Sequence, residues 1–178
     1  MSSSRTSSPD SLFTGNHLEL ARVGAWEFVR RTKGAGVVGV AGMTPEREVL
    51  LVEQLRPPLG AIVIELPAGL VGDEHEETPL EAARRELLEE TGYTAPLSHF
   101  EWLMAGPSSS GLTNELVDIV RAKDLVKASA GGGVGDERIR VHLVPLVELN
   151  PWIHERIDEG MLIDFKVRLL PHFLSEEV

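Results

Sequence analysis

From residue 17 onward, apolar positions arrive in short runs separated by breakers. The runs at 17–23 and 26–32 are divided by Gly24, which reads as a hairpin or a bend. Runs at 37–41 and 49–55 flank a turn at Thr44-Pro45-Glu46. A β-branched run, Ile62-Val63-Ile64, ends at Pro67-Ala68-Gly69, and further runs lie at 99–104, 116–121 and 139–144. Gly131-Gly132-Gly133 reads as a flexible loop before the last of these. Residues 1–15 are Ser-rich, without periodicity, and read as a disordered tail. The spacing changes at Pro79–Thr91, which predicts a helix: Thr78 is the N-cap, Pro79 the first helical residue, Glu81 the capping-box partner and Gly92 the stop. Residues 151–174 predict one or two helices, with Pro171 kinking or ending the last. Strands around one strongly marked helix, with helices at the end, indicate an α+β class.

Composition narrows the function. The chain has 178 residues, 42% hydrophobic and 25% charged, and reads as one domain with a small appendage. Zero cysteines exclude disulfides, thiolate metal sites and a cysteine nucleophile. A net charge of −11 argues against nucleic acid as a partner but leaves room for a small phosphorylated ligand with metal ions between. No apolar run approaches the roughly 18 residues of a membrane span. Residues 1–11 lack the apolar core of a signal peptide, so a cytoplasmic protein with no membrane partner is expected.

Glu86, Glu89 and Glu90 carry the sharpest chemical signal. At about 100° per residue, Glu89 lies roughly 60° to one side of Glu86 and Glu90 roughly 40° to the other. Three carboxylates share a stripe beside the apolar Leu80, Ala83 and Leu87. Ion pairing on a solvated face, Glu81 with Arg85 and Arg85 with Glu89, explains part of the pattern. It leaves Glu86 and Glu90, like charges four apart near a helix end whose dipole disfavours them. A divalent cation reverses the sign of each contribution, and Mg²⁺ or Mn²⁺ selects such oxygen clusters. Residues 73–90 alone carry eight acids and two arginines, −6 of the total −11. His75, in the loop before the helix, reads as a surface residue rather than a ligand.

Glu77, seven residues, then Arg85-Glu86-Leu87-Leu88-Glu89-Glu90-Thr91-Gly92-Tyr93 resembles the Nudix box, G-x5-E-x7-R-E-U-x-E-E-x-G-U. The first spacing departs from it: seven residues separate Gly69 from Glu77, and four separate Gly72 from Glu77. Gly69 is taken as the family glycine, with two residues inserted in the loop. Trp26-Glu27-Phe28-Val29-Arg30-Arg31, Glu53-Gln54-Leu55-Arg56-Pro57-Pro58, Glu65-Leu66-Pro67-Ala68-Gly69, Gly111-Leu112-Thr113-Asn114-Glu115 and Glu137-Arg138-Ile139-Arg140-Val141 extend the resemblance to the ADP-ribose pyrophosphatase branch. So does Pro107, fourteen residues past Tyr93. The resemblance implies an α/β/α sandwich with a mixed sheet over 35–178. It also implies N-terminal strands at 16–34 that form a homodimer and help build the partner's site.

Position by position, the resemblance implies that Glu86, Glu90 and the Ala68 carbonyl hold metal, with Mg²⁺ as cofactor and Mn²⁺ possible. Arg85 orients the glutamates, and Glu89 assists or acts as base. Glu137 binds metal or acts as base; its alternative is a solvated loop acid. Arg56 contacts substrate, a guanidinium fork suiting phosphate, against a surface salt bridge as the alternative. Trp26 stacks on adenine, or is a core residue. Glu27 and Arg31 contact base and phosphate, and Glu115 lies near the terminal ribose. Ser108-Ser109-Ser110 enlarges the adjoining loop. The implied reaction is hydrolysis of a nucleoside diphosphate sugar, ADP-ribose foremost, to AMP and ribose 5-phosphate. The alternatives are another nucleotide sugar or dinucleotide, a Nudix domain that binds without cleaving, and a plain acidic Ca²⁺-binding domain.

Overall fold

The computed structural model describes residues 8–34, 36–72, 75–133, 135 and 138–175. Three strands, β1 (Asp10–Thr14), β2 (Leu18–Val23) and β3 (Trp26–Arg31), form an antiparallel sheet in that order. Then come β4 (Gly36–Gly42), β5 (Glu48–Arg56), β6 (Ala61–Glu65), β7 (Ala68–Val71) and α1 (Pro79–Thr91). β8 (Tyr93–Thr94), β9 (Phe100–Pro107), β10 (Leu116–Ala122), β11 (Val126–Lys127) and β12 (Arg140–Pro145) follow. The chain closes with α2 (Leu149–Asp158), β13 (Leu162–Ile163), α3 (Phe165–Arg168) and α4 (Leu170–Phe173).

Two four-stranded sheets make the middle layer, ordered β7-β4-β10-β9 and β12-β5-β6-β13, with β8 and β11 pairing separately. Both are mixed: β10 runs parallel to β4 and β13 parallel to β6, and the other pairs are antiparallel. Strand alternation sends Val38, Val40 and Leu50 to one face and Ala41, Val49 and Leu51 to the other. α1 covers the first face through Ala82, Ala83 and Leu87. Ile153, Val167, Leu170 and Phe173 from α2, α3 and α4 cover the second. Each fully buried leucine contributes about 1.5–3 kcal/mol, so a sheet apolar on both faces requires helices on both. The α+β class and the α/β/α sandwich expected from the sequence are what forms.

The local differences have physical causes. The stretch expected to be disordered contains β1, in which Asp10, Ser11, Phe13 and Thr14 pair with β2 by their backbones while the side chains stay exposed; residues 1–7 lie outside the described part. β7 was not expected after Pro67, yet Ala68 and Gly69 pair with Gly39 and Val38 of β4. Pro171 lies in the first turn of α4, after Leu170, rather than ending a helix, since its missing N–H is not needed there.

Candidate active site

α1 is fixed at its start by a reciprocal cap. The Glu81 amide donates to Thr78 Oγ1 (3.3 Å), and the Thr78 amide donates to Glu81 Oε2 (2.8 Å). Glu81 is therefore engaged at the cap rather than pairing with Arg85 as the spacing suggested. Arg85 instead binds the loop. It donates through Nη2 (2.7 Å) and Nε (3.3 Å) to the two oxygens of Glu77, and through Nη2 to the Leu70 carbonyl (3.0 Å). Its Nη1 reaches Glu86 Oε1 (2.9 Å) and Glu89 Oε2 (3.3 Å). The Glu77 side chain is only 4% exposed, and the Arg85 guanidinium beside it holds its carboxyl below the usual carboxylate range. The Glu77 carboxylate in turn raises the Arg85 pKa. Gly72, in the left-handed region at φ 71°, donates its amide to Glu77 (3.3 Å), which closes the loop. His75 lies on the surface, 3.7 Å from Glu77.

β7 brings the remaining pieces to the stripe. A Cβ on Gly69 would lie 1.9 Å from Cδ of Glu86, so the Glu86 carboxylate fills the space that glycine leaves. That contact gives Gly69 a steric reason to be glycine; the reason at Gly72 is its positive φ. Glu90 is buried, 5% exposed, and its Oε2 accepts from the Ala68 amide at 3.0 Å. Ala68, Gly69, Glu86 and Glu90 line a cavity of about 320 Å³ together with Arg31, Val37, Leu70 and Arg56. Among the described residues no three His, Asp or Glu side chains converge on a point. Two carboxylates beside the Ala68 backbone nonetheless offer hard-oxygen donors of the kind that suits Mg²⁺, which retains several waters of its own.

In the sequence Glu65 stands only as part of a motif, with no role of its own. The β5–β6 register sets Gln54 and Arg56 on the same face as Glu65. The Glu65 carboxylate accepts from Arg56 Nε (2.7 Å) and Nη2 (2.6 Å) and from Gln54 Nε2 (3.0 Å), so Arg56 forms the salt bridge named as its alternative while also lining the cavity. Alternation puts 54 and 56 on one face, and only the β5–β6 register brings Glu65 to it.

Arg31 joins this cavity to a second one of about 210 Å³, lined also by Arg30, Gly34, Asn114 and Glu115. Its Nε donates to Glu115 Oε1 at 2.6 Å. The loop after Ser108-Ser109-Ser110 docks on β3, with the Val29 amide donating to the Leu112 carbonyl (2.8 Å). Trp26 and Glu27 are not brought to either cavity. Trp26 is 62% exposed, which removes the core alternative. Five residue steps along β3 set it about 17 Å from Arg31. Glu137 lies outside the described residues.

The segment read as a flexible glycine loop is fastened to the end of α1. The Gly133 amide donates to the Glu89 carbonyl (3.1 Å) and the Gly132 amide to the Glu90 carbonyl (2.8 Å). Ala128 and Ser129 donate to the Gly92 carbonyl (2.8 and 3.0 Å). Lys127 Nζ donates to the carbonyls of Thr91 (2.8 Å) and Ala130 (3.2 Å).

Comparison with known proteins agrees with this geometry. A family model described as NUDIX domain matches residues 31–165. The chain is 37% identical over 114 residues to the methanol dehydrogenase activator of Bacillus methanolicus, covering 64% of this chain and 57% of that protein. It is 39% identical over 93 residues to an ADP-ribose pyrophosphatase of Bacillus subtilis, covering 52% and 48%. The chain thus spans about half the length of these curated relatives. A GDP-mannose pyrophosphatase of Cronobacter sakazakii is 30% identical over 151 residues, covering 80% and 74%. A solved structure described as an ADP compounds hydrolase superposes with a TM-score of 0.64 at 18% identity, covering 85% of this chain and 86% of that one, and shares the fold. The box from Glu77 to Tyr93, the sandwich that presents it and the family match over 31–165 lead to one conclusion: the chain belongs to the NUDIX domain family.

Proposed function

We propose that the protein is a Mg²⁺-dependent pyrophosphohydrolase of nucleoside diphosphate sugars, cleaving ADP-ribose to AMP and ribose 5-phosphate, with Mn²⁺ able to replace Mg²⁺. The observation that carries this reading is the shared cavity: Glu86, Glu90, Ala68 and Gly69 face the same space as Arg31 and Arg56. A pyrophosphate diester carries two negative charges, and a cavity lined by both carboxylates and guanidinium groups suits it once a cation offsets the carboxylates. Bound there, Mg²⁺ supplies charge neutralisation and a more acidic water. Glu86, Glu90 and the Ala68 carbonyl would hold the ion, and Arg85 keeps Glu86 and Glu89 in place. Arg56, paired with Glu65, meets phosphate oxygens with its fork. Glu89 or Glu137 takes the proton of the attacking water. The new O–P bond forms in line as the bridging O–P bond breaks, and the second phosphate departs with the bridging oxygen.

The same reading assigns Trp26, with Glu27, to the adenine of a site in the partner of a homodimer, and Glu115 to the terminal ribose. The exposure of Trp26 and its distance from Arg31 support that division between subunits. A cytoplasmic protein without nucleic-acid or membrane partners fits the charge of −11. Among the described residues no helix is long and apolar enough to cross a membrane. The resemblance to a GDP-mannose pyrophosphatase favours, as a second reading, the same chemistry on another nucleotide sugar. A hydrolysis screen of nucleotide sugars, dinucleotides and nucleoside triphosphates with Mg²⁺ and product identification separates them. Preferred turnover of ADP-ribose supports the first reading, preferred GDP-mannose the second, and turnover of triphosphates alone overturns both.

A further inference from the structure

A helix leaves its last four carbonyls without intrahelical partners, and its C-terminus repels the negative charge that Glu89 and Glu90 place there. In α1 all four carbonyls are taken. Leu88 accepts from the Gly92 amide (2.9 Å), Glu89 from Gly133, Glu90 from Gly132 and Thr91 from Lys127 Nζ. Three of these donors belong to one remote segment, 127–133. The last turn itself has no basic residue, and Lys127 brings a cation to it from β11. Its Nζ also lies 4.8 Å from the Tyr93 ring centroid, which fixes its position.

Contact is too close for side chains. A Cβ on Gly131 would lie 2.3 Å from the Thr91 carbonyl carbon, and one on Gly92 would lie 2.3 Å from the Ser129 oxygen. Both glycines are in the left-handed region, at φ 69° and 74°. Two backbones cross here because neither bears a side chain. Glu90 is consequently held at both ends: its carbonyl by Gly132, its carboxylate by the Ala68 amide. Glu89 is held likewise, by Gly133 and by Arg85.

We infer that residues 127–133 form a clasp that positions the last turn of α1, so that Lys127 and Gly131 are positioning residues for Glu89 and Glu90. This rests on the metal role proposed for Glu90. Groups hydrogen-bonded to ligating atoms change metal affinity or activity by about 10–100-fold when removed; here Gly132 and Gly133 hold the main chain of Glu90 and Glu89, and Lys127 and Gly131 seat that segment against Thr91. The clasp therefore acts on metal affinity more than on substrate affinity.

The test compares Gly131→Ala, Lys127→Met, Lys127→Arg and Glu90→Gln in the full chain, well below each thermal midpoint. Mn²⁺ binding is read by electron paramagnetic resonance without substrate, beside kcat and KM for ADP-ribose. Gly131→Ala and Lys127→Met are expected to weaken Mn²⁺ binding about tenfold and to lower kcat, with KM within about twofold and Lys127→Arg restoring most of both. Gly131→Ala could fail to fold; Lys127→Met keeps its glycines and decides the matter alone. Folded Lys127→Met with wild-type Mn²⁺ affinity and kcat, whatever its thermal midpoint, overturns the clasp. If the wild type binds Mn²⁺ but hydrolyses no nucleotide sugar, while the clasp variants still lose Mn²⁺ affinity, the clasp stands and the substrate reading fails. If Glu90→Gln binds Mn²⁺ as the wild type does, the metal assignment and the clasp's role fail together.

Discussion

Glu90 is where position matters most. It sits 5% exposed, with its carboxylate on the Ala68 amide, although its place in an acidic stripe suggests an open face. Glu90→Gln keeps an acceptor for that amide and removes the charge, so the fold is expected to survive while activity does not. The expected kcat is below a tenth of wild type, more than about 1.4 kcal/mol of barrier, and steady-state rates with saturating Mg²⁺ check it. Trp26→Ala makes a different prediction. An exposed side chain is worth little to stability, within about 0.5 kcal/mol, whereas a base stacked on it is worth about 1–3 kcal/mol. KM for ADP-ribose should rise roughly five- to a hundredfold with kcat nearly unchanged, since stacking is equal in ground and transition states. Thermal midpoint and KM on one preparation test both halves.

At the scale of the element, α1 was the most legible part of the chain. Thr78, Pro79, Glu81 and Gly92 spell its ends, and each does in the structure what its chemistry suggests. Thr78→Ala is expected to cost about 1 kcal/mol, lowering the thermal midpoint by roughly 2–4 °C for a chain of this size; calorimetry measures it. Acid should act on the same helix. Glu77 and Glu81 both have carboxyls held below their ordinary values, by Arg85 and by the Thr78 amide respectively. Their folded pKa values lie below the unfolded ones, so their stabilisation is present above about pH 4.3 and fades as pH falls through the folded values. Glu77→Gln should flatten the acid limb of a stability–pH profile; a limb as steep as wild type contradicts the Arg85 pairing. β7 was illegible because Pro67-Ala68-Gly69 reads as a turn, and the pairing that makes it a strand comes from β4, remote in sequence. The clasp was illegible for a related reason: glycine marks both freedom and close approach, and the chain alone does not say which.

Across the whole molecule, the sandwich follows from alternation in β4 and β5, and that much is written locally. What depends on distant partners, such as Glu65 pairing with Arg56 or Arg31 meeting Glu115, appears only once the strands are in register. The N-terminal sheet leaves Phe13, Leu18, Leu20 and Trp26 exposed, more apolar surface than a lone satellite sheet needs. Light scattering should give a dimer mass at micromolar concentration, with the deletion of residues 1–32 shifting it to monomer; a monomeric full-length chain contradicts the shared site. The proposed chemistry requires the acidic stripe of α1 and the arginines lining the same cavity to cleave a pyrophosphate together. Phosphorus NMR of ADP-ribose with the full chain tests it most directly. With Mg²⁺ the diphosphate signals should give way to those of AMP and ribose 5-phosphate in equal amounts, and a chelator should stop the change. Diphosphate signals that persist at catalytic protein concentrations, or that vanish equally fast with the chelator present, would contradict it.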